Sequence, residues 1–382
     1  MTDVELLFVV LAVIYLWECA CWIPRGSIAF LTWTERSWRL AVPSVIAGNQ
    51  RGGFVFAPPL PPLGTILVAN PLPVSISPDS VLGYVSTTLD PGGRAQQTGR
   101  LASFEEIKKI EVRGRKLLLD RELFVRPGSS GQAAWLAERL AQIAKVGRGQ
   151  REKKIRELFD ETLDVKQIKS KWDEFKKQTG TLRLLANAVF CYLFIFAPAL
   201  IYHFSLHATW LRLLTGLFGL TFCTAFYFRK VHKMFYPKAD DERFTHFLTT
   251  MLSPATTPRA RDILSRRLFE WFHPVAVTKV LCSEAVFKEL AGRALRDARH
   301  PALPVFPGKD AVARDTENYS RSLWQRSLEE FLRRSGLDIG KLMQAPVPAD
   351  RTSLAYCPRC LAQFTSGSEQ CADCGGLELV KW

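Results

Sequence analysis

The sequence predicts an α+β membrane protein with three transmembrane α-helices, a small β-rich cytoplasmic domain, a helical cytoplasmic region and a four-cysteine module at the C-terminus. Three observations predict it. The apolar residues, 47% of the 382, gather in three blocks rather than spreading evenly. Lysines and arginines crowd the flanks of those blocks, as positive charge does on the cytoplasmic side of membrane proteins. Four of the nine cysteines form two tight Cys-x-x-Cys pairs near the C-terminus, a spacing suited to a metal rather than to a disulfide framework.

The first block, within residues 1–23, carries only Glu5 and Glu18 beyond Asp3 as charged groups. At ~1.5 Å per residue, residues 4–23 reach ~30 Å, the thickness of a bilayer core. A cleaved signal would start with positive charge, whereas this chain starts Thr2-Asp3-Val4-Glu5. An uncleaved anchor is therefore expected. Glu18, between Trp17 and Trp22, is the one carboxylate inside a block that could be functional; snorkelling or pairing at the interface is the plainer expectation.

Residues 184–228 hold the second and third blocks, separated only by a short polar turn near 203–209, so they predict an antiparallel hairpin. A hairpin buried in a soluble protein is the alternative. Pro198 should kink the second helix, because neighbouring groups can satisfy the freed carbonyl. Gly216 and Gly219, with Thr215 and Ala225, offer small faces for helix contact. Arg212 can snorkel to the nearer interface.

Orientation follows from the flanks. Arg25, Arg36 and Arg39 follow the first block, Arg183 and a lysine-rich run precede the second, and Arg229, Lys230 and Lys233 follow the third. The 203–209 turn has neither Lys nor Arg. These flanks place the N-terminus and the turn outside and the soluble mass in the cytoplasm, on what would be a bacterial inner membrane. The sequon at Asn318-Tyr319-Ser320 would then face the cytoplasm.

Residues 24–147 predict the β-rich domain. Short runs at 66–68, 73–76, 81–85, 107–112, 116–119 and 123–126 read as strands bounded by turn residues. Ser129 or Ser130 can cap a helix to about Lys145, with Trp135, Leu136, Leu140 and Ile143 on one face. A strand meander closed by one amphipathic helix, clearest from Phe104 to Leu140, resembles the pleckstrin-homology-like domains of bacterial membrane proteins. The resemblance covers about 73–145 and implies a lipid-proximal or protein-binding module. Lys108, Lys109, Arg113, Arg115 and Lys116 could form a headgroup patch, or simply solvated strand and turn charges. Pro58-Pro59-Leu60-Pro61-Pro62 is expected to stiffen a loop, with a polyproline ligand as the alternative.

Residues 148–183 predict a basic, amphipathic helical linker. Ile168, Trp172 and Phe175 recur at helical spacing among Lys169, Lys176 and Lys177. Such a stripe suits either an interfacial helix on anionic headgroups or a helix packed on protein. In 229–345, helices are expected at 241–252, 259–272, 283–299 and 318–334, separated by Pro254, Pro258, Pro274 and Pro301 to Pro307. His232, His246, His273 and His300 stand alone in sequence and are expected to be structural.

The last module spans 346–382. Cys357-Pro358-Arg359-Cys360 and Cys371-Ala372-Asp373-Cys374, with Gly375 and Gly376 behind the second pair, resemble the zinc-ribbon, or rubredoxin-knuckle, family. The resemblance covers about 355–382 and implies a structural zinc held by Cys357, Cys360, Cys371 and Cys374. Iron and a redox dithiol are the alternatives. So short a module cannot fold on an apolar core alone, so metal binding would supply its folding energy.

The net charge of +14 calls for an anionic partner. Charges in the ribbon balance, with Arg351, Arg359 and Lys381 against Glu369, Asp373 and Glu378, which disfavours nucleic acid and points to anionic lipid. No Walker loop, dinucleotide fingerprint, His-Glu-x-x-His or nucleophile elbow occurs in the sequence. The expectation is a non-enzymatic membrane scaffold or regulator that binds a cytoplasmic protein through its helical region and ribbon. A membrane enzyme or transporter subunit and a membrane-tethered nucleic-acid binder are the alternatives. A pore would require a homo-oligomer, since three helices enclose too little.

Overall fold

The computed structural model describes residues 2–22, 28–30, 40–41, 54–56, 66–68, 72–89, 95–237, 240–254, 256–265, 267–300, 311–365, 369–374 and 376–382. The Pro58 to Pro62 run, the Glu18 side chain and Pro301 to Pro307 lie outside them. Two compact units emerge. One combines residues 1–45, 50–69 and 166–270, and the other residues 46–49, 70–165 and 271–382.

The first element is α1 (Asp3–Trp22), a run that contains neither glycine nor proline to break the helix. Four short strands follow, β1 (Ile28–Phe30), β2 (Leu40–Ala41), β3 (Phe54–Phe56) and β4 (Ile66–Val68), forming one sheet in the order β2-β1-β3-β4. Then come two three-stranded antiparallel meanders. The first is β5 (Val74–Ile76), β6 (Ser80–Leu89) and β7 (Ala95–Ser103); the second is β8 (Ile110–Arg113), β9 (Lys116–Leu119) and β10 (Glu122–Val125). Strand β7 escaped the sequence reading because Ala-Gln-Gln-Thr-Gly-Arg lacks β-branched alternation. Its pairing along the whole of β6 recruits it.

Helix α2 (Ser130–Ala144) starts where Ser129, one of the two serines expected to cap it, accepts the Gln132 N–H at 2.9 Å. It packs across β8 and β9. The helical linker expected over 148–183 comprises α3 (Arg148–Thr162), α4 (Val165–Gln178) and the start of the next helix, and the division between the two units falls at 165/166. After Thr179 the chain enters α5 (Gly180–Cys191), a π-helical turn at Tyr192–Phe196, and α6 (Ala197–Phe204). In that turn the Ala197 N–H reaches back to the Tyr192 carbonyl, one residue further than in an α-helix. Pro198, which has no N–H, sits just beyond this widened turn.

Helix α7 (Leu206–Phe235) runs past the predicted end at 228, because Arg229, Lys230 and Lys233 are good helix formers and Val231 and His232 are buried. Helix α8 (Asp240–Leu252) packs back along it, with Phe247 edge-on to Phe226 at 5.4 Å. The helix expected at 259–272 is shorter: a 3₁₀ turn at Thr257–Arg259, then α9 (Ala260–Ser265). Ser265 turns its hydroxyl back to the Asp262 carbonyl where the helix stops. Beyond it lie α10 (Pro274–Leu281), α11 (Glu284–Arg299), α12 (Ala311–Arg334) and α13 (Ile339–Leu342).

Two helical stretches, Gly180–Phe204 and Thr209–Phe235, are long and apolar enough to cross a membrane by length and composition. In α1 the apolar stretch among the described side chains, Glu5–Trp17, is shorter than that. The expectation of three such helices is therefore met by two. Still, α1 joins their unit: Tyr15 is buried with its ring 5.3 Å from Phe194 and 5.8 Å from Phe190.

The core of the second unit mixes regions that the sequence reading kept apart. Val74, Ile76 and Val81 of the first meander and Leu117, Leu119 and Phe124 of the second pack with Leu136 and Leu140 of α2. Ile155, Leu158 and Phe159 of α3 and Leu323 of α12 complete the same cluster. Each such side chain removed from water stabilises by about 1.5–3 kcal/mol. Hydrogen bonds reinforce the join, with Ser80 Oγ and Thr316 Oγ1 2.5 Å apart and Arg151 donating to the Pro78 carbonyl at 2.9 Å.

Candidate metal centre

The C-terminal cysteines come together on a frame of five two-residue strands. β11 (Ala355–Tyr356) lies between β12 (Gln363–Phe364) and β15 (Val380–Lys381), and β13 (Gln370–Cys371) pairs with β14 (Leu377–Glu378). Cys357 and Cys360 occupy the turn between β11 and β12. There the Cys357 N–H donates to the Ala362 carbonyl and the Leu361 N–H to the Cys357 carbonyl, both at 2.9 Å. Leu361 carries a φ of 63°, a left-handed conformation that turns the chain sharply behind Cys360. Cys371 precedes a 3₁₀ turn (Ala372–Cys374) that Cys374 ends, and the Gly376 N–H closes it onto the Cys371 carbonyl at 2.9 Å. At φ 89°, Gly376 holds a left-handed conformation that favours glycine.

All four Sγ atoms lie within 4.8 Å of one another, and those of Cys360 and Cys371 are 3.8 Å apart. A disulfide needs about 2.05 Å. Four thiolates at ~2.3 Å around one tetrahedral ion would stand ~3.8 Å apart. The cluster therefore fits a metal ion such as zinc, and such an ion would cross-link the two turns. Cys357, Cys371 and Cys374 are buried while Cys360 is exposed. Burial works against ionising Cys357, yet backbone N–H groups of Cys360 and Arg359 hold its thiol below the ordinary value. Burial pushes the Cys371 thiol up.

The module is fastened to α11. Arg359, inside the first Cys-x-x-Cys turn, meets Asp297 at 2.8 Å, and Arg296 donates to the carbonyls of Arg359 and Leu342, each at 3.3 Å. The stretch from Pro346 to Ala349, which leads into the module, is bonded to it as well. Gln363 donates to Val347 and accepts from Ala349, and the Trp382 indole donates to the Pro346 carbonyl at 3.0 Å.

The lipid-surface candidates divide. Ile168 and Phe175 are 0% and 1% exposed, which corrects their assignment to the headgroup region. Phe175 packs on Phe235 at 5.6 Å and Trp172 on Phe269 at 6.3 Å, so the apolar stripe of α4 serves a protein core. Lys169, Lys176 and Lys177 remain exposed. The basic patch on the β-domain separates too. Lys108 and Lys109 sit by the β9–β10 turn, held by the Asp120 carboxylate, whereas Arg113, Arg115 and Lys116 sit at the opposite end of β8. Glu111 pairs with both Lys109 and Arg113.

Among the histidines, His273 has a defined task. Its Nδ1 accepts the Val275 N–H at 3.3 Å and so caps α10, while its ring lies 4.7 Å from Trp324. His232 and His246, separate in sequence, come within 6.0 Å ring to ring on α7 and α8. Periodicity could not have shown that meeting, because it depends on how α8 folds back.

Comparison with protein families, with curated proteins and with solved structures returned no match.

Proposed function

We propose that the chain is a non-enzymatic membrane-anchored scaffold that presents a zinc ribbon to a cytoplasmic protein partner. The observation that carries this reading is the fastening of the ribbon to α11 through Arg359 and Asp297. In the same unit α12 completes the core of the β-domain. Ribbon, helices and strands thus form one folded platform, as a scaffold requires.

Membrane insertion is supported by the surface of the helical hairpin. Ile195, Phe196, Leu211, Leu214 and Phe218 are exposed, and so are Leu6, Val9, Val13 and Leu16 of α1. So large an apolar surface is unstable in water and suits lipid. We read α1 as a third span on this basis, with the N-terminus and the 203–209 turn outside and the C-terminus in the cytoplasm of a bacterial cell. Two three-stranded meanders closed by α2 also suit the pleckstrin-homology-like reading of 73–145. In this proposal zinc, held by Cys357, Cys360, Cys371 and Cys374, is structural: four protein ligands leave it no open position.

The test compares capture of cytoplasmic proteins by the intact chain in mild detergent, by a chain ending at Gln344 and by a Cys357→Ser, Cys374→Ser variant. Partners held by the intact chain and lost from both variants support the reading. Identical capture by all three would remove the ribbon from any binding role.

A further inference from the structure

A group of cations gathers where α4 meets the first membrane-length helix. Thr179 continues the helical path, with its N–H on the Phe175 carbonyl and its own carbonyl accepting from Arg183, both at 2.9 Å. Trp172, Lys176, Thr179 and Arg183 therefore recur at intervals of three and four residues along one stripe. Helix α9 packs against α5 and α7 and brings Arg261 to this stripe. The Arg261 guanidinium lies 5.4 Å from the Phe175 ring and 5.9 Å from that of Trp172, and its Nε donates to Thr179 Oγ1 at 3.2 Å. Lys176 reaches the same Trp172 ring at 5.8 Å.

The charges are poorly balanced. Lys176 pairs with Asp173 at 2.8 Å, and Asp262 is drawn to Arg259 at 3.5 Å. Arg183 has no carboxylate partner among the described residues, and it stands close enough to Arg261 for their charges to interact. Burial, then the Arg183 charge, push the Arg261 guanidinium below its ordinary value, and the neighbouring Asp262 carboxylate offsets this only in part. Two like charges held together beside aromatic rings destabilise each other unless an anion bridges them. Arg183 is also the one Lys or Arg in the Gly180–Phe204 stretch, in its first turn, at the depth where a phospholipid phosphate would lie.

We infer that Arg183 and Arg261, with Lys176 beside them, bind the phosphate of an anionic phospholipid at the cytoplasmic interface. Trp172 forms the apolar wall of this site, and the site tethers α9 to the membrane surface. This rests on reading Gly180–Phe204 as a membrane span.

The experiment uses the full-length chain purified in detergent, with phosphatidylglycerol or phosphatidylcholine added and bound lipid counted by native mass spectrometry. The wild-type chain should retain phosphatidylglycerol in preference to phosphatidylcholine. Arg183→Gln, an exposed position whose replacement leaves the fold intact, should lower that preference about five-fold. Arg183→Lys should keep most of it, and Lys153→Gln, an exposed charge on α3, should keep all of it. Equal retention of the two lipids by the wild type would overturn the inference, as would undiminished preference in an Arg183→Gln, Arg261→Gln double variant. Displacement of phosphatidylglycerol by millimolar inorganic phosphate would overturn the lipid assignment in favour of a free-phosphate site. Alkaline extraction of the chain from membranes separates the two readings. A chain that washes out has no span, whereas one that resists extraction yet shows no lipid preference has a span but no site.

Discussion

Tyr192 fills the space that the missing side chain of Gly216 leaves open. A Cβ at Gly216 would lie 2.5 Å from the Tyr192 hydroxyl, which instead donates to the Leu213 carbonyl of the facing helix at 2.9 Å. In the membrane location proposed for this pair, lipid would offer no hydrophobic drive for the two helices to associate, so close packing and hydrogen bonds between them would decide the matter. Tyr192 also opens the π-helical turn, so the wider turn and the interhelical bond occur at one residue.

The two glycines of α7 should therefore behave differently. Gly216→Ala should push Tyr192 aside and lower the thermal midpoint of the chain in detergent. Gly219→Ala, where a Cβ meets nothing within 4 Å, should not. Tyr192→Phe should cost about 0.6 kcal/mol, the average for one hydrogen bond between membrane helices. Equal effects at Gly216 and Gly219 would contradict the packing described.

A second close approach lies in the β-domain. A Cβ at Gly83 would stand 2.9 Å from the Phe124 ring and from the Phe124 carbonyl oxygen. Backbone cannot step aside as a flexible side chain can, so Gly83→Ala should destabilise by about 1–3 kcal/mol. Chemical denaturation followed by circular dichroism measures this. A shift within error would show that the two meanders are less tightly closed.

The metal prediction is the tightest physically. The chain should bind one zinc, and a chelator should unfold 346–382 while the helical hairpin stays inserted. Cys357→Ser with Cys374→Ser should abolish zinc binding, measured by elemental analysis. Asp297→Ala should leave zinc in place but expose the ribbon to protease, because it removes the Arg359 contact and not a ligand. Full zinc occupancy in the double cysteine variant would refute the site.

His273 gives a pH dependence of defined sign. Burial pushes its imidazole down to about 3, whereas an unfolded histidine titrates near 6.5. The unfolded state therefore takes up a proton between these values and the folded state does not. The stability contributed by the neutral ring is present above about pH 6.5 and is lost as pH falls towards 3. Protonation would also remove the Nδ1 lone pair that caps α10. His273→Asn, which can cap without titrating, should flatten this part of a plot of unfolding midpoint against pH. An unchanged slope would reassign the pH dependence to another group.

Much of this was legible from residue spacing. Cys357, Cys360, Cys371 and Cys374 announce their cluster because two tight turns aim thiols at one point wherever they occur. Ser129 marked the start of α2, and the apolar runs from Leu184 and from Ala208 marked the hairpin, because caps and lipid-length helices depend on local chemistry alone. Gly216 could be named as a contact position, though not the tyrosine that fills it.

Other features depend on residues distant in sequence. The stripe of Ile168, Trp172 and Phe175 has the same periodicity whether it meets lipid or protein; only the positions of Phe235 and Phe269 decide in favour of protein. Likewise β7 has no strand signal until β6 pairs with it, and Leu323 has no mark that sends it to the β-domain core. By itself the sequence determined most of the local elements, the four-cysteine cluster and two helices of membrane length. The tertiary structure alone decided which apolar faces are buried and how the ribbon is held. Hydrophobic burial is non-directional, so a periodic stripe specifies that a face will be covered but not by what.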